Sequence, residues 1–377
     1  MMTKIVVLGA GLVGAPIAFD LAKDKNFKIS IVDKDAKPLE KFENTAIKAI
    51  CRDLSNAGSV KEIVKDFDFV VSAVPGFMGF QTIKAVIESK KNVVDIAFFP
   101  EDPFLLDELA KKNNVIAITD CGVAPGMSNI LVGHAHNLLD KTENVEIYVG
   151  GLPQIRQKPF EYKAVFSPID VIEEYTRPAR LIENFQVVTK PALTECELMD
   201  FSKIGTLEAF NSDGLRSLAY TIDGKNMKEK TLRYPGHVEK MKLFRETGFF
   251  DKNEIEINGV KISPLDFTSK ILFPKWKLEK NQHDITVMKI LVEGYKNEKY
   301  KSFTYDLFDR YDSKSETHSM ARTTGYTASS AIRMLISNIY TQVGITVPEF
   351  LGKNQKCYEF IIDELAKRGI HYIEKID

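Results

Sequence analysis

The sequence predicts an α/β fold, a doubly wound parallel sheet with an α+β domain inserted into its chain, on three observations. Apolar runs recur from Thr3 to about Asp120 (KIVVLG, FKISIVD, AIKAI, DFVVSAV, NVVDIA, NVIAIT), most of them separated by amphipathic spacers of helix length. Strands buried on both faces of a parallel sheet read as such continuous runs. After Gly126 the texture changes: a helix-like stretch over 127–139 leads into VEIYVGG and DITVMKILVEG, where apolar and polar residues partly alternate as in half-exposed antiparallel strands. Residues 319–340, SMARTTGYTASSAIRMLISNIY, carry Ala, Met, Leu and Ile at helical spacing, and this buried helix is expected to return to the first domain.

These features divide the chain into a first domain over 1–125, an α+β domain for substrate and dimerisation over 126–318, and C-terminal helices over 319–377. The polar stretch 295–299 between two strand-like runs predicts a hairpin turn. A last amphipathic helix is expected from about Gln355 to Lys367, where basic residues suit a helix C-terminus and Gly369 ends it.

The length of 377 residues accommodates two domains, and 44% hydrophobic with 27% charged residues is a globular composition. Lys and Arg number 51 against 52 Asp and Glu, so no overall field draws in nucleic acid or an anionic membrane, and a small neutral or zwitterionic partner fits better. Cys51, Cys121, Cys196 and Cys357 form no Cys-x-x-Cys pair, and no run approaches ~18 apolar residues. A soluble cytoplasmic protein with reduced thiols is expected. His134 and His136 lie roughly 200° apart around a helix, so they do not share a metal, and no other metal-ligand spacing is present.

Gly9-Ala10-Gly11-Leu12-Val13-Gly14 stands where the first strand ends and a helix begins. The first glycine permits the tight turn, the second lets backbone approach a pyrophosphate, and the third lets helix and strand pack closely. Asp33 closes the second strand about 20 residues on, where a carboxylate receives the adenosine ribose hydroxyls. This is the Rossmann-type dinucleotide fingerprint. The acidic residue repels a 2′-phosphate and selects NAD over NADP, with Lys34 and Lys37 keeping NADP as the rival. Asp53, after the third strand, is a candidate for the adenine amino group, or a solvated loop residue. Ala73, Val74 and Pro75, ending the fourth strand at the ligand side of the sheet, are expected to line the cofactor with Gly122. Cys121 reads as a small core thiol, and Phe98, Phe99 and Trp276 as core or interface.

Several blocks follow in order: VPGFMGF (74–80), DCGVAPGMSN (120–129), YVGGLP (148–153), YKAVFSP (162–168), EEYTRPAR (173–180), AFNSDGLRSL (209–218), TLRYPGH (231–237) and ARTTGYTA (321–328). With the glycine fingerprint they resemble the saccharopine dehydrogenase family over nearly the whole chain. Within it the chain looks most like the lysine 6-dehydrogenase branch, because family members that make saccharopine tend to read Gly-Leu-Asp-Pro-Gly where this chain has Gly122-Val123-Ala124-Pro125-Gly126. The resemblance implies NAD-dependent oxidation of the ε-amine of L-lysine to an aldehyde that cyclises to Δ1-piperideine-6-carboxylate, with ammonia released, by a cytoplasmic homodimer. The alternative is a saccharopine dehydrogenase or a relative acting on carboxyalkylated polyamines. A rival of another class is an NAD-binding regulator without turnover.

An amino-acid substrate needs an Arg fork for its carboxylate and a carboxylate for its ammonium. Asp213 and Arg216, three apart, share a face if a helix starts at Ser212, and are the expected clamp, against a surface ion pair. Arg233 and His237 flank Tyr234-Pro235-Gly236, whose turn chemistry aims both inward, Arg233 at the carboxylate and His237 as a base or a structural helix-capping histidine. Lys163, in a strand-like segment, is the second candidate base, against a snorkelling strand lysine. Arg177 and Arg180 are candidates for substrate contact or for joining subunits or domains.

Overall fold

The computed structural model describes residues 2–279 and 281–377. The chain opens with β1 (Thr3–Leu8), α1 (Gly14–Leu21), β2 (Phe27–Asp33), β3 (Lys48–Cys51), α2 (Ala57–Val64) and β4 (Phe69–Ser72). It continues through α3 (Gly76–Glu88), β5 (Asn92–Asp95), α4 (Asp107–Lys112), β6 (Ile116–Ile118) and α5 (Met127–Leu138). The inner strands form because their apolar runs are covered on both faces: Ile5, Val6, Val7 and Leu8 are all fully buried. Val6, Leu8, Val70 and Val93 pack against Ile83, Val86 and Ile87 of α3. Asn56 starts α2 by accepting the Ser59 N–H at 2.8 Å.

The next stretch contains β7 (Lys141–Pro153), α6 (Pro168–Thr176), β8 (Ala179–Glu183), β9 (Gln186–Lys190), β10 (Glu197–Phe201), β11 (Gly205–Asn211), α7 (Leu218–Thr221) and β12 (Gly224–Arg233). After these come α8 (His237–Glu246), β13 (Ile255–Ile257), β14 (Val260–Ile262), α9 (Pro264–Trp276), β15 (Asp284–Lys296) and β16 (Lys299–Arg310). Asn297 and Glu298, both at positive φ, join β15 to β16 as a two-residue hairpin loop. The chain then runs through α10 (Ser319–Ile336), β17 (Gly344–Thr346), α11 (Pro348–Lys353), α12 (Gln355–Lys367) and β18 (Tyr372–Ile376).

Two compact units result: Met1–Asn137 with Ala321–His371, and Leu138–Met320 with Tyr372–Asp377. In the first, a parallel sheet runs β17-β6-β5-β4-β1-β2-β3. Strand order reverses at β1, between β2 and β4, which is the ligand position of doubly wound sheets. In the second, a mainly antiparallel sheet runs β10-β11-β12-β7-β15-β16-β18, with β7 and β12 parallel. The helices α6, α8 and α9 build one core there through Val171, Ile172, Tyr175, Val238, Met241, Leu265, Leu272 and Trp276.

Three expectations need correction. The sequence places the stretch that becomes α5 in the second domain, but all of it except Leu138 lies in the first unit. The C-terminal 59 residues, read as helices, also hold β17 and β18; β17 has three residues, too few to display a period, and β18 is a largely exposed edge strand. The helix expected to reach Tyr340 stops at Ile336, and Asn338 at φ 53° turns the chain away.

In the first unit α1 is tied down by charge. Asp20, 1% exposed, binds Arg333 Nη1 at 2.7 Å, Arg368 Nε at 2.8 Å and Ser329 Oγ at 2.7 Å. Burial alone would raise this carboxyl, but Arg333 and Arg368 outweigh it and hold it below its ordinary value. Asp20→Ala removes one of two anions from each guanidinium, since Arg333 keeps Asp24 and Arg368 keeps Glu364, and should cost about 1–3 kcal/mol, read as a lower urea midpoint at neutral pH with an unchanged slope.

Candidate active site

The glycine loop after β1 has the shape a pyrophosphate requires. Gly9 lies at φ 101°, and a Cβ there would come 2.5 Å from Ala73 O; a Cβ on Gly14 would come 2.1 Å from Gly9 O. A Cβ on Gly11 would meet nothing within 4 Å, so this is the open side of the loop, where an anion can approach backbone. Asp33 Oδ2 accepts the Ala10 N–H at 2.8 Å and Oδ1 accepts the Asp35 N–H at 3.0 Å, which fixes the carboxylate beside the loop. Lys41 Nζ donates to Ala10 O at 3.1 Å, and burial lowers its pKa against the pull of Asp33.

Leu12 is exposed and Val13 precedes α1, while Pro75 precedes α3. Val74 turns its side chain into the core, leaving only its backbone to line a ligand. Lys34 is exposed. Asp53 accepts both Ser55 N–H (2.9 Å) and Ser55 Oγ–H (2.8 Å), a local turn that engages the carboxylate expected at the adenine. Gly122 lies against Pro125 O and Thr324.

In the second unit β12 alternates polar residues onto one face: Glu229, Thr231 and Arg233 at i, i+2 and i+4. Arg233 is 1% exposed. Its Nε donates to Tyr175 Oη at 3.2 Å, Nη1 to Leu232 O at 3.0 Å and Nη2 to Glu174 Oε2 at 2.5 Å, with its flat face 4.6 Å from the Tyr162 ring centre. Burial raises the Glu174 carboxyl, and Arg233 draws it back. The guanidinium expected to hold a substrate carboxylate is therefore committed to α6.

His237, fully buried at the start of α8, continues the same line. Nδ1 faces Phe160 O at 2.7 Å, and since a carbonyl only accepts, Nδ1 carries the hydrogen. Nε2 then accepts the Tyr175 hydroxyl at 2.8 Å. Burial, with Arg233 next, pushes this imidazole down to about 3, so it stays neutral and its lone pair is occupied. In this structure neither ring nitrogen is open to a proton, and the side chain joins Tyr175 to Phe160 O and caps no helix, unlike either expectation.

Lys163 is not in a strand; only Ala164 makes an isolated bridge, to Lys277. Its ammonium donates to Lys275 O at 2.8 Å and Lys277 O at 3.3 Å, closing the C-terminal end of α9. The proposed second base is thus a helix cap. The Asp213 and Arg216 clamp also takes another form. Gly214 and the positive φ of Arg216 keep 212–217 out of a helix, and Asp213 pairs instead with Arg180, whose Nε and Nη2 each reach it at 2.8 Å.

Arg177, Arg180 and Arg216 nevertheless converge. Burial and then the charge of Arg216 lower the pKa of Arg177, while Glu173 and Asp213 act the other way. Two carboxylates already stand among them, Glu173 on Arg177 and Asp213 on Arg180, so the group mixes both signs of charge. Sequence reasoning missed Glu174, Tyr175, Ser212 and Glu229; the consecutive charges Lys228, Glu229 and Lys230 gave no readable signal of burial.

Residues 5–118 match the model of the Saccharopine dehydrogenase NADP binding domain, and residues 122–370 that of the Saccharopine dehydrogenase C-terminal domain. The chain belongs to the saccharopine dehydrogenase family. It is 23% identical, over 100% of its length and 99% of the other, to the saccharopine dehydrogenase (NADP(+), L-glutamate-forming) of Schizosaccharomyces pombe. It is 25% identical to the mitochondrial alpha-aminoadipic semialdehyde synthase of Mus musculus over 278 residues, 70% of this chain and 30% of that protein. It therefore spans about 30% of the length of the synthases it matches. The apo histidine-tagged saccharopine dehydrogenase (L-Glu forming) from Saccharomyces cerevisiae shares the fold, with a TM-score of 0.81 at 18% identity over 100% of both chains.

Within this family member, the line Phe160, His237, Tyr175, Arg233, Glu174 predicts a stability phenotype. Arg233→Met leaves Glu174 without its cation and should cost about 3–5 kcal/mol. The unfolded chain binds a proton at His237 below its ordinary value of 6.5 and the folded chain does not until about 3. Stability should therefore decline as pH falls through that window. The decline should flatten in His237→Gln, read by circular-dichroism melts from pH 8 to 4.

Proposed function

We propose that this chain oxidises a carbon–nitrogen bond of an amino-acid amine, with a dinucleotide held at Gly9, Gly11, Gly14 and Asp33. The observation that carries the reading is the convergence of Arg177, Arg180 and Arg216 with Asp213 and Glu173 in the unit that follows the dinucleotide-binding strands. Such a mixture complements a zwitterion: guanidinium groups fork its carboxylate, and carboxylates take its ammonium. The nicotinamide, when bound, supplies a hydride acceptor.

The secondary amine of saccharopine is the first substrate candidate, supported by the full-length likeness to a saccharopine dehydrogenase. The ε-amine of L-lysine is the second reading, favoured by Ala124 where saccharopine-forming members tend to carry Asp. Carboxyalkylated polyamines belong with the first class. Asp33 supports NAD as the working cofactor, since a 2′-phosphate would face its carboxylate; the family model's NADP and the neighbouring Lys34 support the rival. A homodimer, working in the cytoplasm on a small molecule without nucleic acid or membrane, completes the proposal. Among the described residues no helix is long and apolar enough to cross a membrane.

Reduced-dinucleotide absorbance, followed with saccharopine, L-lysine and a carboxyalkylated polyamine under NAD and NADP, tests this reading. We expect one amine to be oxidised, with NAD at least 10-fold more efficient, and Asp33→Ala to shrink that preference by weakening NAD. Glutamate among the products identifies the saccharopine reading and ammonia the lysine reading. Dinucleotide binding with no turnover on any amine would overturn the proposal in favour of a regulator.

A further inference from the structure

Glu229 is the one acid of this cluster for which no cation is provided. It sits within β12, 3% exposed. Oε2 accepts Ser212 Oγ–H at 2.7 Å and Gly214 N–H at 3.1 Å, while Thr231 Oγ1 supports Ser212 Oγ at 2.7 Å. A Cβ on Gly214 would come 2.3 Å from the Glu229 carboxyl carbon, so the turn at 212–217 is pressed against the acid and holds it in place. Oε1 accepts no hydrogen bond among the described residues, and no Lys, Arg or His among them forms an ion pair with this carboxyl.

The charges facing it are Glu174 from α6 and Asp213 from the turn. Each has its own arginine, Arg233 on the same strand as Glu229 and Arg180 from β8. Arg177, at the end of α6, and Arg216, in the turn, stand by Asp213. Burial, with the charges of Glu174 and Asp213, pushes the Glu229 carboxyl up to about 8, which leaves it protonated at neutral pH. A buried acid with one idle oxygen and no cation among the described residues is complementary to an ammonium.

Building on the proposed substrate role of this unit, we infer that Glu229 receives a protonated amine of the substrate and gives up its own proton to solvent as that amine binds. The balance is simple: a neutral carboxyl and an ammonium enter, a carboxylate–ammonium pair forms, and one proton leaves. Binding then becomes pH-dependent without any change in the chemistry that follows.

Calorimetric titration of the NAD(P)H-loaded enzyme, which cannot oxidise the amine, with saccharopine and with L-lysine in two buffers of different ionisation enthalpy reads the proton released on binding. Close to one proton should be released per substrate at pH 7 by the unmodified chain, and none by Glu229→Gln. KM of the unmodified chain should fall as pH rises, approaching tenfold per unit below about 8. Glu229→Gln should show a flat, raised KM with kcat within a few-fold. A deaminated analogue should release no proton from either protein.

Folding of the variant is checked by its pH-stability profile. The native state holds the Glu229 proton from the ordinary 4.5 up to about 8, so the unmodified chain loses stability across that range and Glu229→Gln should lose less. A purely structural Glu229 would alter that profile while leaving KM and its pH dependence untouched, and that result overturns the inference. An amine that is turned over yet binds without proton release also overturns it, with the dehydrogenase reading intact. Absence of turnover on every amine counts instead against the proposed function.

Discussion

A guanidinium that is 1% exposed needs an anion and acceptors, because an unpaired buried charge costs several kcal/mol while a single hydrogen bond returns about 1. In the second unit that requirement belongs to Arg233, and much of its polar architecture follows. Helix α6 presents Glu174 and Tyr175 at consecutive positions to meet it. Tyr175, accepting from Arg233, must place its own proton, and His237 at the start of α8 takes it. His237 in turn places its hydrogen on Phe160 O. Two helices, a loop and a strand are locked by one chain of donors and acceptors in which each group has a single consistent role.

This chain separates support from recognition. Arg233, His237 and Lys163 have polar atoms engaged by protein, and through them they hold the unit together. The proposed recognition falls to the neighbouring group of Arg177, Arg216 and Glu229, where two guanidinium charges act on one another and an acid stands without a cation among the described residues. The first unit shows the same economy. Asp33 fixes the glycine loop through Ala10, and in the proposed reading the same carboxylate receives the ribose.

Much of the fold was legible because its signals are local. The six runs from KIVVLG to NVIAIT became β1 to β6; the inner strands, covered on both faces, leave an unbroken apolar record, and the edge strand β3 is largely exposed. The hairpin at Asn297 and Glu298 and the helix Gln355–Lys367 were readable from turn chemistry and amphipathic spacing. The short β17 and the exposed β18 carry no such record. Residue types in the site were legible too, but their directions were not. Whether Lys163 points at a ligand or at Lys275 O depends on a helix end 112 positions away, and whether Asp213 meets Arg216 or Arg180 depends on backbone that Gly214 and a positive φ at Arg216 turn out of a helix. The strand Glu229 to Arg233 left no such signal, because Lys228, Glu229 and Lys230 are consecutive charges that read as an exposed strand while the structure buries Glu229, Lys230 and Arg233.

The central claim is that the arginines beside Asp213, and not Arg233, recognise the substrate carboxylate. The most direct measurement is steady-state kinetics of Arg177→Lys and Arg216→Lys, which keep the charge and lose the planar fork, together with dinucleotide titration of the same proteins. Loss of one forked contact predicts a substrate KM raised by about 10- to 100-fold, kcat within a few-fold of the unmodified chain, and unchanged dinucleotide affinity. An unaltered substrate KM in both variants would contradict the account.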